Sequence, residues 1–371
     1  MGEDPSRNGS QRERPMTDFD NYGYFPALMS RVAEIQGLRE LSDGRKERVI
    51  PLFTLGRWHN AVEFDRAIQN CSAAIGDGRP YFADLTREAR HAPDVVGQLL
   101  SPDNNFHAWR TYIEQFENAI PVVQIVPDAT RRQVYRQAQL IERARNKLAF
   151  RVRNPGQELP LVINALSSLD EPDNAMTFID LKYVRGIERE ATAVAADAIN
   201  RIRDEIASAR IVVLSSSFPS YLGRFAEDEG ETRGSIEIIE RRLHAELIGD
   251  GRECLYGDYA SIHPIIRGGG GTFIPRIDAA HTFTWNFERR PELSEQRREG
   301  YQECATALLE RYPELVDNDC WGAAMIRQAA AGDPHGLAPV SWIAARVNMH
   351  LSRQIDYSDE ANVDEDWEDL L

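Results

Sequence analysis

The chain has 371 residues, enough for one large domain or two ordinary ones. Apolar residues make up 42% and charged residues 27%, a balance that excludes a disordered or collagen-like chain. The net charge of −16 argues against bulk nucleic-acid binding, although it leaves room for a local basic cleft. No run approaches ~18 uncharged apolar residues, and the opening stretch lacks the apolar core of a secretory signal. A cytoplasmic location with no membrane contact is expected.

Residues 1–20 are polar and without apolar period, and are expected to be a disordered leader. The segment 22–48 leads in with Tyr24-Phe25-Pro26 and then a helix, on which Arg31 and Glu34, three apart, share one face. They form either a surface ion pair or part of a site over the mouth of the fold. β-rich runs then follow at 49–55, 80–85, 120–126, 148–153, 176–181, 210–215, 253–259 and 281–287. Amphipathic helices fill intervals at 128–147, 187–207 and 235–248. Further helices are expected at 297–311 and 338–355. Eight strands alternating with helices over roughly 240 residues predict a (β/α)8, TIM-barrel-like α/β fold. It would be one domain over 21–355, with an N-terminal lead-in and extra C-terminal helices. No GxGxxG or GxxxxGK[ST] supports the doubly wound alternative. From Asp356 to Leu371 eight of sixteen residues are acidic, and the tail is expected to be extended.

Strand parity places the candidate site. Side chains alternate between interior and helix layer. Phe82 and Asp84, Val122 and Gln124, Ala149, Arg151 and Arg153, Phe178, Asp180 and Lys182, and Tyr256 and Asp258 are assigned to the inward face. Polar residues thus fall at the carboxyl ends of strands, where barrel enzymes place their sites. The catalytic candidates are Asp84, Asp180, Lys182, Asp258 and His263, with Asp258 and His263 as a possible general-base pair. The ligand-binding candidates are Arg31, Glu34, Arg151, Arg153, Ser216, Ser217, Tyr259, Gly269, Gly270 and Arg276. Ser216 and Ser217 either hold an anion or cap a turn. The tetraglycine run at 268–271, with Arg276 beyond it, suits close approach of backbone amides to a phosphate. Three carboxylates, Asp84, Asp180 and Asp258, would suit Mg²⁺, but their spacing is not diagnostic and no metal or cofactor is assigned. Cys71, Cys254, Cys304 and Cys320 form no CxxC pair and read as reduced, buried thiols.

Four motifs carry a resemblance. Tyr24-Phe25-Pro26-Ala27-Leu28 with Arg31 and Glu34, Ser216-Ser217-Phe218-Pro219, Gly257-Asp258-Tyr259 with His263-Pro264, and Trp342 with Asn348-Met349-His350-Leu351 occur in this order. Together they resemble the phage beta protein family over about residues 22–355. The chain departs from the family pattern at Met29, Thr54, Met349 and Thr282-Phe283-Thr284. The resemblance implies phage or mobile-element biology near anti-phage defence genes, and it implies no particular reaction. Two functions remain in view. One is a carboxyl-face pocket that binds or processes a phosphorylated, nucleotide-like ligand. The other is a non-catalytic scaffold or regulator that binds a protein partner in a defence module, to which the Trp367–Leu371 end could contribute a docking peptide.

Overall fold

A computed structural model describes residues 18–265 and 273–368. In chain order the strands are β1 Ala27–Met29, β2 Leu52–Leu55, β3 Tyr81–Leu85, β4 Ala119–Pro121, β5 Leu148–Val152, β6 Ala175–Tyr183, β7 Arg210–Ser216, β8 Arg233–Glu237, β9 Leu255–Asp258, β10 Arg276–Ala280 and β11 Thr284–Arg289. The helices are α1 Val32–Arg39, α2 Asp43–Lys46, α3 Asp65–Ile75, α4 Asp94–Leu99, α5 His107–Ile113, α6 Arg131–Arg145, α7 Pro155–Leu166, α8 Glu188–Glu205, α9 Ile239–Gly249, α10 Arg297–Arg311, α11 Trp321–Ala330 and α12 Pro339–Glu368. Among the described residues no helix is long and apolar enough to cross a membrane.

The molecule is mixed α/β. Strands β1-β2-β3-β4 form one parallel sheet and β5-β6-β7-β9 a second. Strands β10-β11-β8 form a separate antiparallel sheet. Single bridges join the edges of the parallel sheets. Val122 pairs with Ala149 on one seam, and Tyr24 pairs with both Val49 and Tyr256 on the other. One apolar cluster draws on all eight parallel strands: Ala27, Leu52, Phe82, Ile120, Ala149, Met176 and Phe178, Val212 and Leu214, with Leu255 packed against it. A second core lies between β5–β7 and helices α6–α9, where apolar residues recur at helical spacing. Thr130 and Gln133 start α6 with a reciprocal capping box.

The strand expected at 281–287 is not a member of the parallel set. Thr284–Arg289 is the centre of the antiparallel sheet, with Trp285 opposite Ile236 and Ala280. Alternating aromatic and polar residues suit either partner arrangement, so their period alone does not choose one. The short strand Ala27–Met29, inside the lead-in, supplies the eighth parallel member instead. Residues 233–237, partly assigned to a helix, form β8. The antiparallel sheet packs on α10–α12 through Phe218, Ile236, Trp285, Tyr301, Leu308 and Trp342.

Most of the expected leader, residues 1–17, and the last three residues of the acidic tail lie outside the described residues, and the parts that are described differ from expectation. Phe19, inside the presumed disordered leader, is buried against Phe82, 5.7 Å between ring centroids. The acidic tail does not begin extended at Asp356, because α12 runs through it to Glu368. Arg45 and Arg48 pair with Asp356, and Arg48 also with Asp359, which offsets the local repulsion. Glycines bring α12 close to its neighbours. A Cβ on Gly37 would lie 2.7 Å from Val347 Cγ1, and one on Gly322 would lie 2.3 Å from the Ala345 carbonyl. The four cysteines are free; Cys71, Cys304 and Cys320 are buried and Cys254 partly so.

Candidate functional site

The parity argument holds on β3, β5 and the first part of β6. Arg151, inside the carboxyl end of the parallel strands, joins four other strand ends. Its Nε donates to Asp180 Oδ2 at 3.0 Å, Nη1 to Thr54 Oγ1 at 2.8 Å and to Asp84 Oδ2 at 3.1 Å, and Nη2 to the Tyr259 hydroxyl at 3.0 Å. Tyr259 in turn donates to Asp180 Oδ1 at 2.7 Å. Asp84 also pairs with Arg153 and accepts from Gln124 Nε2 at 3.3 Å. Against the upward push of burial, Arg153 and Arg151 hold the Asp84 carboxyl below its usual range. Against the downward push of burial, Tyr259, Asp180 and Asp84 raise Arg151. Arg87 stands beside this group, and its guanidinium donates to Leu85 O, Gln124 Oε1 and Ile125 O. Burial, with Arg153 adding to it, brings Arg87 down to about 10.

Lys182 does not share the inward face with Asp180. The β6–β7 register shifts between Asp180 and Lys182, and Lys182 has a left-handed φ of 57°. The bulge re-aims its side chain into solvent, and its backbone N–H donates to Asp180 Oδ1 at 3.0 Å.

Asp258 is also displaced from the expected face. The inward residues are Leu255 on β9 and Tyr259 just after it, so Tyr256 and Asp258 fall on the other face, one residue from the expected register. The fully buried Asp258 accepts from Tyr24 OH at 2.6 Å, Tyr256 OH at 2.8 Å and the Ala260 N–H at 2.8 Å. Its base partner is His350, not His263: His350 Nε2 lies 2.8 Å from Asp258 Oδ2. Trp285 Nε1 donates to His350 Nδ1 at 3.2 Å, so the proton sits on Nε2 and is donated to Asp258. Burial pushes the Asp258 carboxyl up, but His350 and Tyr24 outweigh it and hold the group below its usual range. This network ties α12 to β9 and the lead-in. His263 packs against Tyr183, the rings tilted and 4.8 Å apart between centroids.

Besides Arg151 and Arg153, four more ligand-binding candidates are engaged internally. Ser216 donates to Ile262 O at 2.8 Å. Ser217 donates to Glu240 Oε2 at 2.5 Å and accepts from the Ile239 N–H at 3.1 Å, capping the start of α9. Both serines are buried and hydrogen-bonded within the protein, Ser217 as a cap and Ser216 as a tie to Ile262, which leaves neither aimed at an anion. Glu34, 1% exposed, is not a surface group: it accepts from the Met29 N–H and from Arg31 Nε, each at 2.6 Å. Tyr259 is spent on Arg151 and Asp180. Gly269 and Gly270 lie outside the described residues. Among the described residues no three His, Cys, Asp or Glu side chains are grouped to hold a metal ion; Asp84 and Asp180 flank Arg151 while Asp258 faces the other way.

The open space lies to one side of Arg151. A hollow of about 230 Å³ opens after the carboxyl ends of β1, β7 and β9, lined by Arg31, Arg276 and Arg346 with His263, Phe218 and Ser220. Among the described residues no Asp or Glu lines it. The acidic partners are Glu34, which holds Arg31, and Asp278, which holds both Arg346 and, at 3.2 Å, Arg276 and itself lines a neighbouring hollow. Arg346 is also fixed over the Phe218 ring at 4.0 Å and donates to Ser261 Oγ at 3.2 Å. Sequence reading found Arg31 and Arg276 but missed Arg346 and Asp278. A clue was present, since an arginine between Trp342 and His350 on an apolar helix face requires a buried acidic partner. A larger hollow of about 1280 Å³, lined by Arg210, Arg241 and His244, lies at the opposite, amino end of β7 and β9.

Fold and site together define a mixed α/β protein whose parallel strands end in a locked arginine–carboxylate network beside an arginine-lined hollow. The chain belongs to the Beta protein family, which matches residues 24–356. It is 40% identical to Protein beta of Enterobacteria phage P4 over 357 residues, covering 95% of this chain and 99% of that protein.

Proposed function

We propose that the carboxyl face binds a phosphorylated, nucleotide-like ligand as part of a phage-encoded or anti-phage defence module in the cytoplasm. The observation that carries this reading is the arginine-lined hollow. Arg31, Arg276 and Arg346 share two carboxylates, Glu34 and Asp278, and so present a surplus positive charge to a space that no acidic side chain lines among the described residues. Guanidinium forks held from behind match phosphate oxygens. The phage P4 relative supports the biological setting. The reading treats residues 21–355 as one domain with the two parallel sheets closed into a (β/α)8-type ring. The bridges on both seams and the shared interior cluster support that closure. The ring would place the hollow where such folds hold their ligands.

The function is binding in the first place. Asp84 and Asp180 are both taken up by Arg151, and Asp258 by His350. A thermal-shift screen with inorganic phosphate, sugar phosphates and nucleotides tests the reading. A ligand at 100 times its Kd should stabilise the wild type by about 2.7 kcal/mol. The shift should be lost in Arg276→Gln. No shift from any compound would contradict ligand binding and favour a scaffold for a protein partner.

A further inference from the structure

A second hollow, about 340 Å³, adjoins the arginine-lined one, and the two share Ser220, Leu222, Arg276 and Ile343. Its character is different. Tyr221 and Phe273 stand on its walls with 60% and 53% of their surface exposed. Both rings are nonetheless held. The Tyr221 hydroxyl donates to Glu231 at 3.2 Å, and the Arg297 guanidinium lies 5.5 Å from the Phe273 centroid. Tyr301 and Trp342, stacked at 5.0 Å, also line it and are nearly buried. Two exposed aromatic side chains, each with a polar partner, beside a cavity are suited to a flat aromatic guest.

We propose that the ligand is a mononucleotide, with its phosphate held by Arg31, Arg276 and Arg346 and its base stacked against Tyr221 and Phe273. This deepens the binding function proposed above and rests on it. Arg276 lies at the junction of the two hollows, so one molecule with an anionic end and a flat ring spans both. A sugar phosphate would fill only the arginine end. A nucleic-acid strand would bring its charge against a chain of net charge −16, which favours the small ligand over the polymer.

Isothermal titration of the full chain with the four nucleoside 5′-monophosphates, ribose 5-phosphate and a short single-stranded oligonucleotide tests this. At least one monophosphate should bind ten-fold or more tightly than ribose 5-phosphate. Phe273→Ala and Tyr221→Ala, both surface truncations, should each weaken it by about 5- to 150-fold, the range of base stacking on one aromatic ring, and leave ribose 5-phosphate unchanged. Arg276→Gln should weaken both ligands. Equal affinity for ribose 5-phosphate and nucleotides, or nucleotide binding indifferent to both aromatic truncations, would overturn the base subsite while sparing the phosphate site. Tighter binding of the oligonucleotide than of any monophosphate would overturn the choice of a mononucleotide. Failure of every phosphate compound to bind would remove both readings together.

Discussion

Two groups of arginines stand near the carboxyl ends of the same parallel strands, and they differ in what their charge faces. Arg151 is enclosed: its fork is divided among Asp84, Asp180, Thr54 and Tyr259, and little of it reaches solvent. Arg31 and Arg276 are about a third exposed and have acidic partners on one side and a hollow on the other, and Arg346, itself as buried as Arg151, reaches the lining of the same hollow. A buried guanidinium whose donors are all used stabilises the fold. One that is anchored from behind and faces open space is positioned for an anion. The strand-end aspartates, which are the most conspicuous polar residues in the sequence, belong to the first kind.

The largest expected effect separates the two groups by stability. Arg151→Ala leaves Asp84 and Asp180 buried without their shared partner and should cost about 3–5 kcal/mol in urea unfolding. Arg276→Gln removes one of two cations on Asp278 and should cost less than about 1 kcal/mol. Equal losses would break the comparison. Next comes the other buried carboxylate. Asp258→Ala strands two tyrosine hydroxyls and the His350 N–H, and should cost about 3 kcal/mol while leaving phosphate binding intact.

A pH series should reveal a further term. Burial brings His91 and His244 down to about 4. The unfolded chain protonates these groups near pH 6.5, so their contribution is complete above that pH and declines as pH falls from about 6.5 to about 4. His91, 6% exposed, should account for on the order of 2–3 kcal/mol of that decline. Urea midpoints for wild type and His91→Gln from pH 7 to 4.5 should diverge in slope; parallel curves would contradict a neutral, buried His91. The smallest effect belongs to the surface pairs of α12. Arg45→Ala should cost about 1 kcal/mol or less, and the loss should shrink in high salt.

Much of the parallel body was legible because its strands are short apolar runs separated by helices with a clear 3.6-residue period. The inward placement of Asp84, Arg151 and Asp180 followed from alternation alone. Three residues of β1 were too few to show a pattern. On β9 both faces are buried, so Tyr256, Asp258 and Tyr259 offered no apolar-polar contrast to fix the face. The bulge at Lys182 breaks the parity that alternation assumes. The arginine-lined hollow was half legible: Arg276 was visible near the glycine run, whereas Arg346 and Asp278 meet only through the packing of α12 on β10, a contact between segments 68 residues apart.

The most direct test of the central contrast is an anomalous-scattering map of crystals soaked in tungstate, a phosphate-sized dianion. A peak within hydrogen-bonding distance of Arg276 and Arg346, absent in Arg276→Gln, is the predicted result. A peak confined to Arg87 and Arg153 beside the locked network, with the hollow empty, would contradict it.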